Sequence, residues 1–313
     1  MSLACGIDIG GTKIAGGVVD DDGTVVEKLR VESPASDVEA IEDAVAELVS
    51  RLASRHDITA VGVGAAGYVD SARAKVLFAP NLAWRDVDLK AELEERVDVP
   101  VVIENDANAA AWGEFRFGAG HDVDDLLLVT LGTGVGGGLV VDGELYRGGF
   151  GVAAEIGHLR LVPGGVRCGC GMRGCLEQYA SGSALERDVR DLAAGQSTGS
   201  DSLLERAGGR AEDIDGPMIT RAAQEGDAFA VERLAALGCW LGEGIASLVA
   251  VLDPAVVAIG GGLSEADELL LTPAREAFVQ NLPGGEHRPL AEIRRATLGN
   301  AAGMIGAADL ARR

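Results

Sequence analysis

Gly6-Ile-Asp-Ile-Gly-Gly-Thr-Lys-Ile-Ala-Gly-Gly-Val-Val-Asp20 can be laid over Leu128-Val-Thr-Leu-Gly-Thr-Gly-Val-Gly-Gly-Gly-Leu-Val-Val-Asp142. Ile9 meets Leu131, Gly10 meets Gly132, and Val18-Val19-Asp20 meets Val140-Val141-Asp142. Each copy reads as strand, glycine-rich tight turn, strand. Two such hairpins, each opening one half of the chain, predict a duplicated α/β architecture with a cleft between the halves.

The pattern around the hairpins agrees. Residues 24–31 read as a third strand, and residues 37–55 carry apolar residues at helical spacing behind a Ser36 cap. The β-branched runs 58–63 and 99–103 are of the buried-strand type, with a helix over 88–97 between them. A helix over 107–117 follows, capped by Asn105 or Asp106. The second half predicts a long helix over 228–252, a strand over 255–259, a helix from about 265 to 280 and a last helix over 301–311. Segments 196–201 and 208–216 read as surface loops. The expected division is an N-terminal α/β domain over 1–116, completed by the C-terminal helix 300–313, and a C-terminal domain over 117–299.

The 313 residues carry 27 basic against 49 acidic side chains, a net charge of −22. Such a chain repels nucleic-acid phosphates and anionic membranes. Its only lysines are Lys13, Lys28, Lys75 and Lys90. Many carboxylates with few lysines suit a salt-rich cytoplasm, where screening removes self-repulsion, although a genome rich in G and C would also favour arginine. No secretory leader is visible, and glycine or aspartate interrupts every apolar run before it reaches membrane-spanning length. The expected location is the cytoplasm, so the five cysteines are not a disulfide framework.

Five motifs carry chemistry. In Asp8-Ile-Gly-Gly-Thr-Lys13, Gly10 and Gly11 let backbone N–H groups approach an anion, Thr12 adds a hydroxyl, Lys13 a charge, and Asp8 could hold a magnesium-bound water. A plain hairpin turn is the bland alternative. The turn Gly132-Thr133-Gly134 is its repeat, and the two together could hold a polyphosphate tail. In Glu104-Asn-Asp-Ala-Asn108, Asp106 would sit at a helix start whose dipole keeps it ionised, able to accept a hydroxyl proton in phosphoryl transfer. Simple capping would need only one of these polar residues. Glu155-Ile-Gly-His158 with Cys168, Cys170 and Cys175 gives three thiols and an imidazole, a complete tetrahedral set for a structural zinc. Cys5 and Cys239 read as small core hydrophobes. Finally, Gly260-Gly-Gly262 after an apolar strand could let a flat ring lie on the backbone, or form a tight turn only.

In this order, and most specifically through Glu155-Ile-Gly-His158 and Cys168-Gly-Cys-Gly-Met-Arg-Gly-Cys-Leu-Glu177, the chain resembles the ROK (repressor, ORF, kinase) family of sugar kinases over essentially its whole length. The resemblance implies the two-domain actin-like ATPase (ribonuclease H-like) fold. It implies ATP-dependent phosphorylation of the 6-hydroxyl of a hexose, glucose first, as in glycolysis, with ATP, Mg2+ and a structural Zn2+. N-acetylmannosamine, fructose, allose or N-acetylglucosamine are rival substrates, polyphosphate a rival donor, and a non-catalytic sugar-sensing regulator a rival role. Residue by residue, it implies Asp106 as base and Asn81, Asn105, Asp106, Glu155, His158 and Glu177 as sugar ligands. It implies Gly10 to Lys13 and Gly132 to Gly134 as phosphate loops, Gly260 to Gly262 on the adenosine side, and His158, Cys168, Cys170 and Cys175 on zinc. Partners would be the sugar and ATP, with no nucleic acid or membrane, in a homo-oligomer (dimer or tetramer). On this reading zinc acts only by holding the sugar ligands still. Gly64-Ala-Ala-Gly-Tyr-Val-Asp70 departs from the family's Gly-x-Pro-Gly pattern, leaving that loop less rigid.

Overall fold

The computed structural model describes residues 2–80 and 82–313. Two five-stranded sheets organise the chain. The first is built from β1 (Leu3–Ile9), β2 (Lys13–Val19), β3 (Val25–Glu32), β4 (Ile58–Ala65) and, further on, Val101–Asn105. Between β3 and β4 lies α1 (Val38–Ala53), whose cap is Asp37 and not Ser36: the Asp37 carboxylate accepts from Ala40 N. After β4 come three short strands that sequence reading did not foresee, β5 (Tyr68–Val69), β6 (Val76–Phe78) and β7 (Arg85–Val87), which form a sheet of their own. They contain few residues each and lack a long alternating pattern. Next come α2 (Leu89–Glu94), capped by Asp88, then β8 (Val101–Asn105) and α3 (Asp106–Phe117).

The second sheet takes β9 (Leu126–Leu131), β10 (Val135–Val141), β11 (Glu144–Tyr146), β12 (Val256–Gly260) and β13 (Glu292–Arg295). Helices α4 (Glu177–Ala180), α5 (Gly182–Ala194), α6 (Asp201–Arg206), α7 (Gly216–Gln224) and α8 (Ala228–Leu252) fill the chain between β11 and β12. Helix α9 (Glu268–Asn281) precedes β13, and α10 (Ala302–Ala311) closes the chain.

The strand orders are β3-β2-β1-β4-β8 and β11-β10-β9-β12-β13, the same pattern twice. In the first sheet β1 pairs antiparallel with β2 and parallel with β4, and β4 runs parallel with β8. In the second, β10 and β11 are antiparallel and β12 and β13 parallel. The duplication read from the two hairpins is therefore present at the level of topology.

Two compact units result. The first comprises Met1–Leu128, Gly137–Ala154 and Thr297–Arg313, the second Val129–Gly136 and Glu155–Ala296. In the first unit, α10 packs on α3, β1 and β4. Its approach is so close that a Cβ on Gly62 would collide with the carbonyl of Ala307, and one on Gly6 with that of Met304. The core beneath is aliphatic, with Ile7, Ile9, Ile14, Leu48, Leu52 and Ile103 fully buried.

In the second unit, α8 packs along α9, where Gly238 and Gly242 admit the backbone of Leu270 and Ala274. By length and composition α8 is apolar enough to cross a bilayer, contrary to expectation; about half of its most apolar window is buried within the protein. The expectation for Cys239 fails too: it lies on an exposed face of α8, whereas Cys5 is buried as foreseen. Helical periodicity places a residue on a helix but needs the packing partner to say which face is covered.

Candidate functional site

The first unit presents Asp106 where a buried strand gives way to a helix. Asn105, the last residue of β8, caps α3: its Oδ1 accepts from Asn108 N at 2.9 Å. Its Nδ2 donates to Gly67 O at 3.0 Å and to Asp106 Oδ1 at 3.1 Å. One side chain thus caps the helix, holds the 64–70 loop and orients the Asp106 carboxylate. Asp106 is the first helical residue, so its charge faces the positive end of the helix dipole. Asp8, next to last in β1, lies nearby, since a Cβ on Gly303 would lie 3.6 Å from Asp8 Cγ and 3.7 Å from the Asp106 carbonyl. Burial pushes the Asp8 carboxyl above its ordinary value, and Lys28 opposes this.

Behind Asp106 lies an arrangement that sequence reading met only in part. Glu104 is 2 % exposed. Its Oε1 accepts from Asn105 N at 3.1 Å and Asn108 Nδ2 at 3.2 Å. Its Oε2 accepts from Arg147 Nε at 2.7 Å, and Arg73 Nε approaches to 3.6 Å. Burial, then the charge of Arg147, lowers the Arg73 pKa, while Glu104 raises it. Glu104 was visible as an excess polar residue in the motif; Arg73 and Arg147, distant in sequence, carried no local signal.

The turn Gly10 to Thr12 leads into β2, with Gly10 N donating to Lys13 O at 3.0 Å and Ser33 N to Thr12 O at 3.1 Å. Gly11, Thr12 and Lys13 are exposed. Asn81 lies outside the described residues.

In the second unit, His158, Cys168, Cys170 and Cys175 converge, with one ligand atom from each within 4.8 Å of all the others. Cys170 and Cys175 Sγ are 3.7 Å apart, and Cys168 Sγ is 3.8 Å from His158 Nδ1. Tetrahedral zinc with Zn–S bonds of about 2.3 Å requires ligand separations of about 3.6–3.8 Å. The donor set fits zinc in type, these two separations match it, and four protein donors leave no open position. Burial, then the neighbouring Cys170 and Cys168, push the Cys175 thiol up to about 12. Such a crowd of thiols loses its protons when a cation takes them. Nδ1 of His158 faces the cysteines, which leaves Nε2 to other partners.

Glu155 and Glu177 flank this cluster. The Glu155 carboxyl is raised by loss of water around it; His158 lowers it and Glu177 raises it. Glu177 opens α4, with Cys168 Sγ donating to its Oε1 at 3.6 Å and Val135 N donating to its Oε2 at 3.2 Å. The turn Gly132-Thr133-Gly134 therefore meets the metal loop: a Cβ on Gly134 would collide with Glu177 Oε2. Gly182 N donates to Gly132 O at 2.7 Å. A Cβ on Gly132 would meet nothing within 4 Å, so that flank of the turn is open. Of the later glycines, Gly260 ends β12, Gly261 has φ of +82° and lies against Leu131, and Gly262 has open space. Gly261 is thus required by the backbone itself; Gly261 and Gly262 are exposed, whereas Gly260 is buried.

Comparison with known proteins matches the features on both units. The model of the ROK family matches residues 4–313. A glucokinase of Streptomyces coelicolor is 49 % identical over 312 residues, covering 100 % of this chain and 98 % of its own. A glucokinase of Halalkalibacterium halodurans is 38 % identical over 309 residues, covering 96 % of this chain and 92 % of its own. Among solved structures, a ROK family glucokinase from Streptomyces griseus in complex with glucose and AMPPNP superposes with a TM-score of 0.91 at 51 % identity, covering 99 % of both chains. The fold is the actin-like ATPase fold of the ROK sugar kinases. With the hairpin repeat, the Asp106 helix start and the His–Cys cluster all falling within the matched span, this chain belongs to the ROK family.

Proposed function

We propose that the chain is an ATP-dependent glucokinase, transferring the terminal phosphoryl group of ATP to the 6-hydroxyl of glucose. The observation that carries this reading is the ionisable Asp106 at the start of α3, its carboxylate held by Asn105 Nδ2 at 3.1 Å. It is supported by similarity to glucokinases over the full chain.

Asp106 accepts the proton of the attacking hydroxyl, and the helix dipole keeps it ready as a base. Asn81, Asn105, Glu155, His158 and Glu177 bind sugar hydroxyls; a set of acceptors and donors of this kind rejects ligands that leave its members unpaired. Gly10 to Lys13 and Gly132 to Gly134 cradle phosphates through backbone N–H groups, and Gly260 to Gly262 line the adenosine side. The phosphoryl-transfer transition state is loose, so positioning and electrostatics carry most of the catalysis. Magnesium, when bound, neutralises phosphate charge, and Asp8 is the residue to hold it through water. Zinc, when bound by His158, Cys168, Cys170 and Cys175, fixes the loop that carries Glu155 and Glu177.

The enzyme works in the cytoplasm on small molecules, without nucleic acid or membrane, as a homo-oligomer. The charge of −22 supports the absence of polyanionic partners. A coupled ADP-release assay over glucose, fructose, allose, N-acetylglucosamine and N-acetylmannosamine tests the function. Glucose with the highest kcat/KM is the expected result; ADP release unaffected by any sugar defeats the reading.

A further inference from the structure

The proposed function gives the metal loop to the sugar and the β9–β10 turn to the phosphates. In this chain they touch at both sides of one residue. Val135 N donates to Glu177 Oε2 at 3.2 Å, and a Cβ on Gly157 would collide with the Val135 carbonyl. Glu177 lies two residues after the metal ligand Cys175, and Gly157 immediately precedes the metal ligand His158. The Val135 peptide is therefore gripped by two residues whose positions the metal fixes. Gly182, one turn of chain past Glu177, holds the other end of the turn through Gly132 O. Gly134 has no room for a side chain because the Glu177 carboxylate occupies that space. The open flank at Gly132 is left for a ligand.

We propose that Glu177 is a positioning residue for the phosphate turn, and that through it the loaded metal loop sets nucleotide affinity as well as sugar affinity. This rests on reading the 132–134 turn as a phosphate site. A backbone turn of three residues with two glycines has many conformations, and one that presents its N–H groups to a phosphate must be held. Glu177 Oε2 supplies that hold at Val135. Its other oxygen lies 3.6 Å from Cys168 Sγ, which ties the same carboxylate to the metal loop.

The test measures Kd for Mg·AMPPNP by calorimetry with no sugar present, on the zinc-loaded enzyme. Glu177→Ala weakens nucleotide binding about tenfold, a difference of roughly 1.4 kcal/mol. Glu177→Gln, whose amide oxygen still accepts from Val135 N–H, stays within about threefold of wild type, because neutral hydrogen bonding suffices to hold the turn. Cys170→Ser weakens nucleotide binding to a similar degree, and adding it to Glu177→Ala weakens it no further, since coupled residues are non-additive. Wild-type nucleotide affinity in Glu177→Ala, or fully additive effects in the double variant, would overturn the proposal and leave Glu177 to the sugar alone. Gly132→Val, on the open flank, separates the two layers. If nucleotide affinity falls in Gly132→Val but not in Glu177→Ala, the phosphate turn stands and the link is wrong. If Gly132→Val binds nucleotide as wild type does, the phosphate-turn reading falls and the proposal with it. Circular dichroism confirms that each variant is folded, and zinc analysis that Glu177→Ala, Glu177→Gln and Gly132→Val are loaded while the two variants carrying Cys170→Ser have lost the metal.

Discussion

Two carboxylates of the first unit have opposite relations to stability. Glu104 is buried but answered by Arg147, Arg73 and two N–H donors. Replacing it by Gln leaves two poorly solvated guanidinium groups facing each other, which costs on the order of 3 kcal/mol. Glu104→Gln is therefore expected to lower Tm and, by loosening Asn105, to lower kcat more than it raises glucose KM. Asp8 is the reverse case. Its folded pKa is raised by burial, so the ionised form is disfavoured in the native state, and the penalty is present above the ordinary carboxylate range. The penalty is at its full size above the raised value, shrinks as pH falls through it, and is gone below the ordinary carboxylate range. Asp8→Asn should accordingly melt higher than wild type at pH 7, with the gap closing as pH is lowered, and should turn over far more slowly at any magnesium concentration. Melting curves from pH 7 down to 4.5, beside magnesium titrations of rate, check both halves; a lower Tm for Asp8→Asn at pH 7 contradicts the sign.

At the scale of elements, the metal loop is the most exposed to test. Metal analysis should return about one zinc per chain for a closed four-donor set. Cys170→Ser should lose that metal and raise KM for glucose. The contact of Glu177 with Val135 adds a second route to the sequence reading, in which zinc served the sugar ligands alone. The hairpins, α1, α3, α8 and the ligand spacing were legible because each is written in contiguous residues: a period, a cap, a cluster of cysteines. What could not be read there are the partnerships across distance. Arg147 meets Glu104 from 43 positions away, and Glu177 meets Val135 from 42. The glycines tell the same story. Gly134 reads as an anion cradle, yet its lack of a side chain is also demanded by Glu177; Gly261 reads as a ring platform, yet Leu131 and a φ of +82° account for it. Short strands β5 to β7 escaped because so few residues show no period, and the exposure of Cys239 because an apolar helix face does not name its cover.

For the whole molecule, a charge of −22 with four lysines predicts self-repulsion that salt relieves. Tm should climb steadily from low to multimolar KCl; a flat or falling profile would assign the arginine bias to genome composition instead. The account as a whole turns on one carboxylate. Asp106 is held by Asn105 at a helix start, and the proposed reaction needs it as the base. The most direct measurement is the turnover of Asp106→Asn with ATP and glucose, alongside its Kd for glucose. The account predicts a loss of kcat on the order of 10²–10⁴, with glucose still bound within a few-fold of wild type. A variant that folds, binds glucose and forms glucose 6-phosphate at the wild-type rate would contradict it.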